Sequence, residues 1–280
     1  MSIAEKLTTI AENEQKVYEA GKTIDASLTD WGYFLRKVVE KIKYGDTSNG
    51  TNFAYMFYDC GFLTSAPLID TSNGTTFRFM FSNCYNLTTI PSIDTSNGKD
   101  FAYMFSRCSN LTTIPSIDTS NGIDFMSMFS DCSRLTAIPP LDTSKGTNFS
   151  YMFQTCKELT SVPLIDTSNG TTFRFMFSNC SKLTTIPSID ISNGNDFGYM
   201  FNNCSKLENI TFEGQINGSI DFRWSTLLTK DSIISIINAL SSTSSGLTCT
   251  LSEKAINNNF TNGERVELFS TKLNWTISLV

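Results

Sequence analysis

The chain has 280 residues, a formal net charge of −6, 40% hydrophobic and 12% aromatic residues, eight cysteines and no histidine. Its Lys and Arg are scattered rather than clustered, so it carries no electrostatic footprint for nucleic acid or an acidic lipid surface. No apolar stretch reaches the roughly 18 residues of a membrane helix, and the lack of histidine removes the commonest general base and metal ligand.

Residues 1–22 place Ile3, Ile10 and Val17 at sevens, with Leu7 between them and charged residues around. The spacing predicts an amphipathic helix for attachment or homo-oligomerisation, against the plainer reading of a packed terminal helix. MSIAEKLTTIAENEQ turns acidic where a signal peptide has its apolar core, so no export signal is expected. Residues 23–45 hold a second helix, in which Trp31, Phe34, Leu35, Val38, Val39 and Ile42 follow helical spacing. Its apolar face is expected to cap the segment that begins at Asp46.

From Asp46 to Phe212 one 24-residue unit recurs seven times without insertion or deletion, opening at Asp46, Asp70, Asp94, Asp118, Asp142, Asp166 and Asp190. A fixed period of this size marks a stacked repeat architecture. In the first copy Phe53, Met56, Phe57 and Cys60 stand at i, i+3, i+4 and i+7, which predicts one buried face of a short helix. The Thr- and Ile-rich second half, such as Leu87 to Ile93, predicts a short extended stretch, made irregular by a recurrent proline such as Pro91. Asp94-Thr95-Ser96-Asn97-Gly98 then reverses the chain. The expected fold is an α/β repeat solenoid, leucine-rich-repeat-like. It has seven coils of short strand plus short helix over residues 46–212, a helical N-terminal cap and an α/β C-terminal cap. Strands about 4.8 Å apart would make this body on the order of 30 Å long.

Seven of the eight cysteines occupy one equivalent position per unit, so they are expected to be buried free thiols rather than disulfides or metal ligands. The aspartate opening each unit lacks the convergent oxygens that Ca²⁺ needs, and reads as an Asx-type turn. No cofactor and no metal are expected. Residues 213–280 read as a cap of degenerate coils. Glu213 to Ile220 is a hairpin or loop, followed by a helix from Lys230 to Leu240 and a strand from Leu247 to Leu251. One or two short helices lie between Glu253 and Leu273, and a last strand runs from Trp275 to Val280.

If the Phe-Met-Phe-Cys face points inward, the residue before each Met points outward. That column is Tyr55, Phe79, Tyr103, Ser127, Tyr151, Phe175 and Tyr199, aromatic in six of seven copies. Exposed aromatics anchor interfaces and stack on sugars, so Tyr55, Phe79, Tyr103, Tyr151, Phe175 and Tyr199 are the candidate ligand-binding residues. The rival reading is that the segment is less helical and the rings fill gaps between coils. The Thr-rich outer face, including Thr88-Thr89 and Thr112-Thr113, is the other candidate surface.

The run F-x-x-M-F-x-x-C-x-x-L-T-x-I followed by D-T-S-N resembles the BspA-like leucine-rich repeat of bacterial surface proteins, with a slightly shorter unit and P-S-I or P-L-I where that family usually has D-L-S and an aromatic residue. MSIAEKLTTIAENEQKVYEAGK, SIISIINALSSTSSGLT and NWTISLV resemble the ends of repeat proteins carried by prophages of Gram-positive bacteria. The resemblance implies adhesion or host recognition rather than catalysis. The expectation is a non-enzymatic phage tail or baseplate protein that is made in the bacterial cytoplasm and incorporated into the virion. It would bind a bacterial cell-surface glycan or protein and contact other virion proteins. The alternatives are a structural spacer of a virion or an intracellular protein–protein interaction module.

Overall fold

The computed structural model describes residues 46–280. The two helices expected in 1–22 and 23–45 lie outside the described residues.

The chain is a repeat protein in which equivalent positions of successive 24-residue units lie side by side. Parallel bridges join Asn52 to Thr76, Thr76 to Asp100, and so on through Asp124, Asn148, Thr172 and Asp196. A second column joins Ser65 to Thr89 and Ser161 to Thr185 to Asn209. Within the described repeats, regular strand is confined to β1 (Ile189–Asp190), which pairs in parallel with β2 (Phe212–Glu213) at their end. The prolines account for this, since Pro cannot donate to a ladder.

The short α-helix expected in each unit is not formed. Phe53 to Cys60 is a chain of tight turns in which two residues per unit, Tyr55 and Asp59 in the first, have φ near +60°. Alternate amides take different partners. Those of Phe53, Tyr55, Phe57 and Asp59 donate to carbonyls of the next unit at 2.8–3.0 Å, whereas Met56, Tyr58 and Cys60 donate back to Phe53, Tyr55 and Phe57 at 3.0–3.3 Å. Every buried amide in the run is thereby satisfied. Left-handed geometry costs a non-glycine residue about 1–2 kcal/mol. It persists because the forward bonds and the packing of both neighbours hold it.

The i, i+3, i+4, i+7 pattern did identify the buried residues. Phe77, Met80, Phe81 and Cys84 are all fully or almost fully buried, as are their copies at 125, 128, 129 and 132. The Phe side chains form two columns, with Phe101–Phe125 and Phe125–Phe149 both at 5.8 Å and nearly parallel. Leu and Ile from the other limb complete the core. The thiols are free, and from Cys84 to Cys204 each ladder thiol donates to the carbonyl of a Phe in the preceding unit, as Cys84 Sγ does to Phe57 at 3.0 Å. Burial raises them, to about 12 for Cys60 and Cys180 and well above the ordinary value for Cys108 and Cys156.

The opening aspartates make the expected turn: Asp70 Oδ1 accepts from Ser72 N at 3.0 Å and Ser72 Oγ at 2.7 Å. The next Thr is buried and ties units together, Thr71 Oγ1 donating to Asp94 O at 2.7 Å. Gly122 is needed for space, because a Cβ there would lie 2.4 Å from the Phe125 ring.

After the repeats, β3 (Ile220–Phe222), β4 (Leu247–Leu251) and β5 (Trp275–Leu279) form a parallel sheet in that order. Helix α1 (Lys230–Ala239) lies between β3 and β4, and α2 (Glu253–Asn259) and α3 (Asn262–Ser270) between β4 and β5. Thr229 caps α1, and α1 buries Ile233, Ile236 and Ile237. Of the hairpin or loop expected over 213–220 the structure shows the loop, connecting β2 and β3: β2 pairs with β1, and Ile216 makes an isolated parallel bridge to Leu240. Helix α1 closes the stack, since Ser232 Oγ and Ser235 Oγ accept from the amides of Ile210 and Phe212 at 3.0 and 3.1 Å. Phe222 stacks on Phe201 at 4.6 Å and extends the Phe column by one ring.

Candidate binding face

The column containing Tyr55 lies on the outside of the turn chain because its left-handed backbone turns each side chain away from the Phe core. The structure brings the six aromatic candidates together in two blocks. Tyr55, Phe79 and Tyr103 stack at 4.8 and 4.3 Å, and Tyr151, Phe175 and Tyr199 at 4.9 and 4.8 Å, with interplanar angles of 9–13°. The rings are half-buried, apart from the terminal Tyr199, which is 56% exposed. They are therefore not free platforms spaced along a surface. Neighbouring rings cover one another's faces and leave mainly edges toward solvent.

Two arginines not among the sequence candidates flank the rings. Arg78 lies 5.4 and 5.6 Å from the Phe79 and Tyr103 centroids, and Arg174 lies 5.1 and 5.8 Å from those of Phe175 and Tyr199. Arg78 also meets Asp100 and Asp124 at 3.5 and 3.4 Å, and Arg174 meets Asp196 at 3.8 Å. Those carboxylates have a structural duty too, for Asp100 Oδ1 and Asp124 Oδ1 accept the amides two residues on. Partial burial raises Asp100, opposed by the amide bond and Arg78.

The row is interrupted at Ser127, which keeps the left-handed backbone (φ +55°) but is only 4% exposed. A shallow groove of about 410 Å³ crosses the row there, lined by Tyr103, Ser127 and Tyr151 with Met126, Ser130 and Gln154. Met126 Sδ lies 3.6 Å from the Tyr103 hydroxyl, and Ser130 Oγ donates to Gln154 Oε1 at 3.2 Å. A neighbouring groove of about 590 Å³ runs beside it past Tyr85, Arg107, Asp131 and Lys157. Arg107 and Asp131 border both grooves and lie 3.8 Å apart. The signal for this interruption is in the sequence, as the single non-aromatic member of the column.

The Thr-rich limb is exposed, but many of its hydroxyls are engaged. Thr88, Thr136 and Thr184 donate through Oγ1 to Thr64, Thr112 and Thr160 carbonyls at 3.0–3.1 Å. Among the described residues no group of three His, Cys, Asp or Glu could hold a metal ion, and no helix is long and apolar enough to cross a membrane.

Two overlapping segments, residues 26–138 and 113–214, match the profile of DUF285, described as a Mycoplasma protein of unknown function. The chain belongs to the DUF285 family. The overlap of the matches agrees with an internally repeated sequence, and the family description assigns no activity. A comparison with curated proteins finds no match.

Proposed function

We propose that this DUF285 chain is a solenoid of the BspA-like leucine-rich-repeat kind and acts as a non-enzymatic binding protein. Its partner is a glycan or protein of a bacterial cell surface. The observation that carries the reading is the asymmetry of the outer surface: one face combines stacked rings, flanking arginines and two polar grooves, while the Thr limb spends hydroxyls on its own ladder. The thiols, which in an exposed setting would be candidate nucleophiles, are buried and held neutral. The prophage-like ends favour a phage tail or baseplate as the setting, with residues 1–22 used for attachment. A virion spacer is the second reading, favoured by the regular self-stacking of the repeats.

The test is binding of fluorescently labelled protein to intact Gram-positive gut bacteria, with wild type compared with Tyr103→Ala/Tyr151→Ala after both are shown to fold. Loss in the double variant is the expected result. Equal binding by both would exclude the aromatic face as the site, and no binding by wild type would overturn surface recognition.

A further inference from the structure

We propose that the interruption at Ser127 is a binding site for one pyranose ring of a glycan, held between the facing sides of Tyr103 and Tyr151. This deepens the reading above and rests on it.

Stacking decides which ring faces are available. Inside each block the faces are used up at separations of 4.3–4.9 Å, so an incoming ring meets only their edges. At Ser127 one ring is missing from the column, and one face of Tyr103 and one of Tyr151 have no ring neighbour in it. These residues are two units apart, about 9.6 Å at twice the usual strand spacing. On the intact side, two successive steps, Tyr55 to Phe79 to Tyr103, measure 4.8 and 4.3 Å. By that spacing the gap has about the span of one absent ring, with Ser127 almost wholly covered at its floor. Two offset-stacked contacts need at least about 4.5 Å each, so the space admits one flat group and not two.

The lining selects which flat group. A pyranose offers C–H faces to the two tyrosine rings and a belt of hydroxyls around its edge. Ser106, Ser130, Gln154, Arg107 and Asp131 border the groove with both donors and acceptors. A purely apolar ring would desolvate these groups without pairing them. Met126 forms the adaptable wall, since its unbranched thioether can shift with the ligand.

Filling the gap tests this without unfolding the protein. Ser127→Tyr restores the residue type that Tyr103 and Tyr151 already carry at the same backbone geometry (φ 60° and 61°). The full chain and this variant are applied to an array of bacterial surface oligosaccharides, and any glycan bound is titrated by calorimetry alongside thermal melting. The expected result is that wild type binds at least one glycan, and that Ser127→Tyr melts no lower but binds it at least about tenfold more weakly. Undiminished binding by Ser127→Tyr, or no glycan bound by wild type, would overturn the assignment. If wild type and Ser127→Tyr adhere equally to intact cells, this site fails while surface recognition stands. If neither adheres, surface recognition itself fails.

Discussion

The repeats and the C-terminal segment solve the same problem by different means. In residues 213–280 unlike residues meet: helix α1 lays Ile233, Ile236 and Ile237 against the end of the stack, and β3, β4 and β5 pair along a register. In the repeats each position meets its equivalent in the next unit, and in the core columns that equivalent is the same residue, Phe on Phe. Self-matching lets the backbone hold a conformation that no isolated segment would keep, with two left-handed non-glycine residues in every unit. Stability there is distributed among neighbours, each unit stabilising the next, whereas the C-terminal segment packs unlike elements onto the end of the same continuous core.

Alkaline pH should separate the two regions most strongly. Burial raises the Cys60, Cys180 and Cys249 thiols from 9.0 to about 12, and the other ladder thiols rise for the same reason. A thiol whose folded value is raised contributes stability that is fully present below the unfolded value. That stability is lost as pH climbs from about 9 toward the folded value, because only the unfolded chain releases the proton. Each thiol costs at most about 1.4 kcal/mol per pH unit in that window. Seven thiols lie in the repeats and one, Cys249, in β4. Alkylation read peptide by peptide should leave all eight unmodified at pH 7 and label the repeat thiols at lower pH than Cys249. Simultaneous labelling of all eight would show that the two regions unfold as one.

A smaller and more local effect is expected from truncating one ring. Phe125 is fully buried between Phe101 and Phe149, so Phe125→Ala should cost about 3–5 kcal/mol. Hydrogen exchange should then show lost protection centred on the flanking repeats, with α1 spared. Ile237→Ala, at about 2–5 kcal/mol, should do the reverse. Uniform loss of protection in both variants would contradict the contrast between the regions.

The same contrast explains what could be read from the residues. The C-terminal helices and the strands β4 and β5, though not β3, were legible because ordinary signals govern them, such as helical spacing in α1 and the Thr-rich β4. In the repeats the buried set was legible and the backbone was not. The spacing of Phe53, Met56, Phe57 and Cys60 records which side chains face inward, and a chain of turns with alternating local and forward hydrogen bonds satisfies it as well as a helix does. No intrinsic propensity anticipates Tyr or Phe at φ near +60°, since packing by adjacent copies overrides it. The aromatic column followed from the spacing alone. Its stacking agrees with the rival reading of a less helical segment whose rings fill gaps between coils, whereas the flanking Arg78 and Arg174 and the importance of Ser127 depend on the distance between units and were not legible.

The smallest expected effect separates a turn from a calcium site in the repeats. Asp94 Oδ1 accepts from Ser96 N at 2.9 Å and Ser96 Oγ at 2.7 Å, and these bonds, the side-chain one foremost, hold its carboxyl below the ordinary value. Such a group stabilises above its unfolded value and loses that contribution as pH falls through the folded one. The group is open to solvent, so the contribution is strongly screened. Asp94→Asn keeps an acceptor oxygen for Ser96 while removing the charge a cation would need. Its unfolding free energy at pH 7 should therefore stay within about 0.5 kcal/mol of wild type. EDTA should move the melting temperature of neither protein. A calcium-dependent melting temperature in wild type, lost in Asp94→Asn, would instead make the column of opening aspartates a site for a cation. The repeats would then depend on something that the C-terminal segment does not.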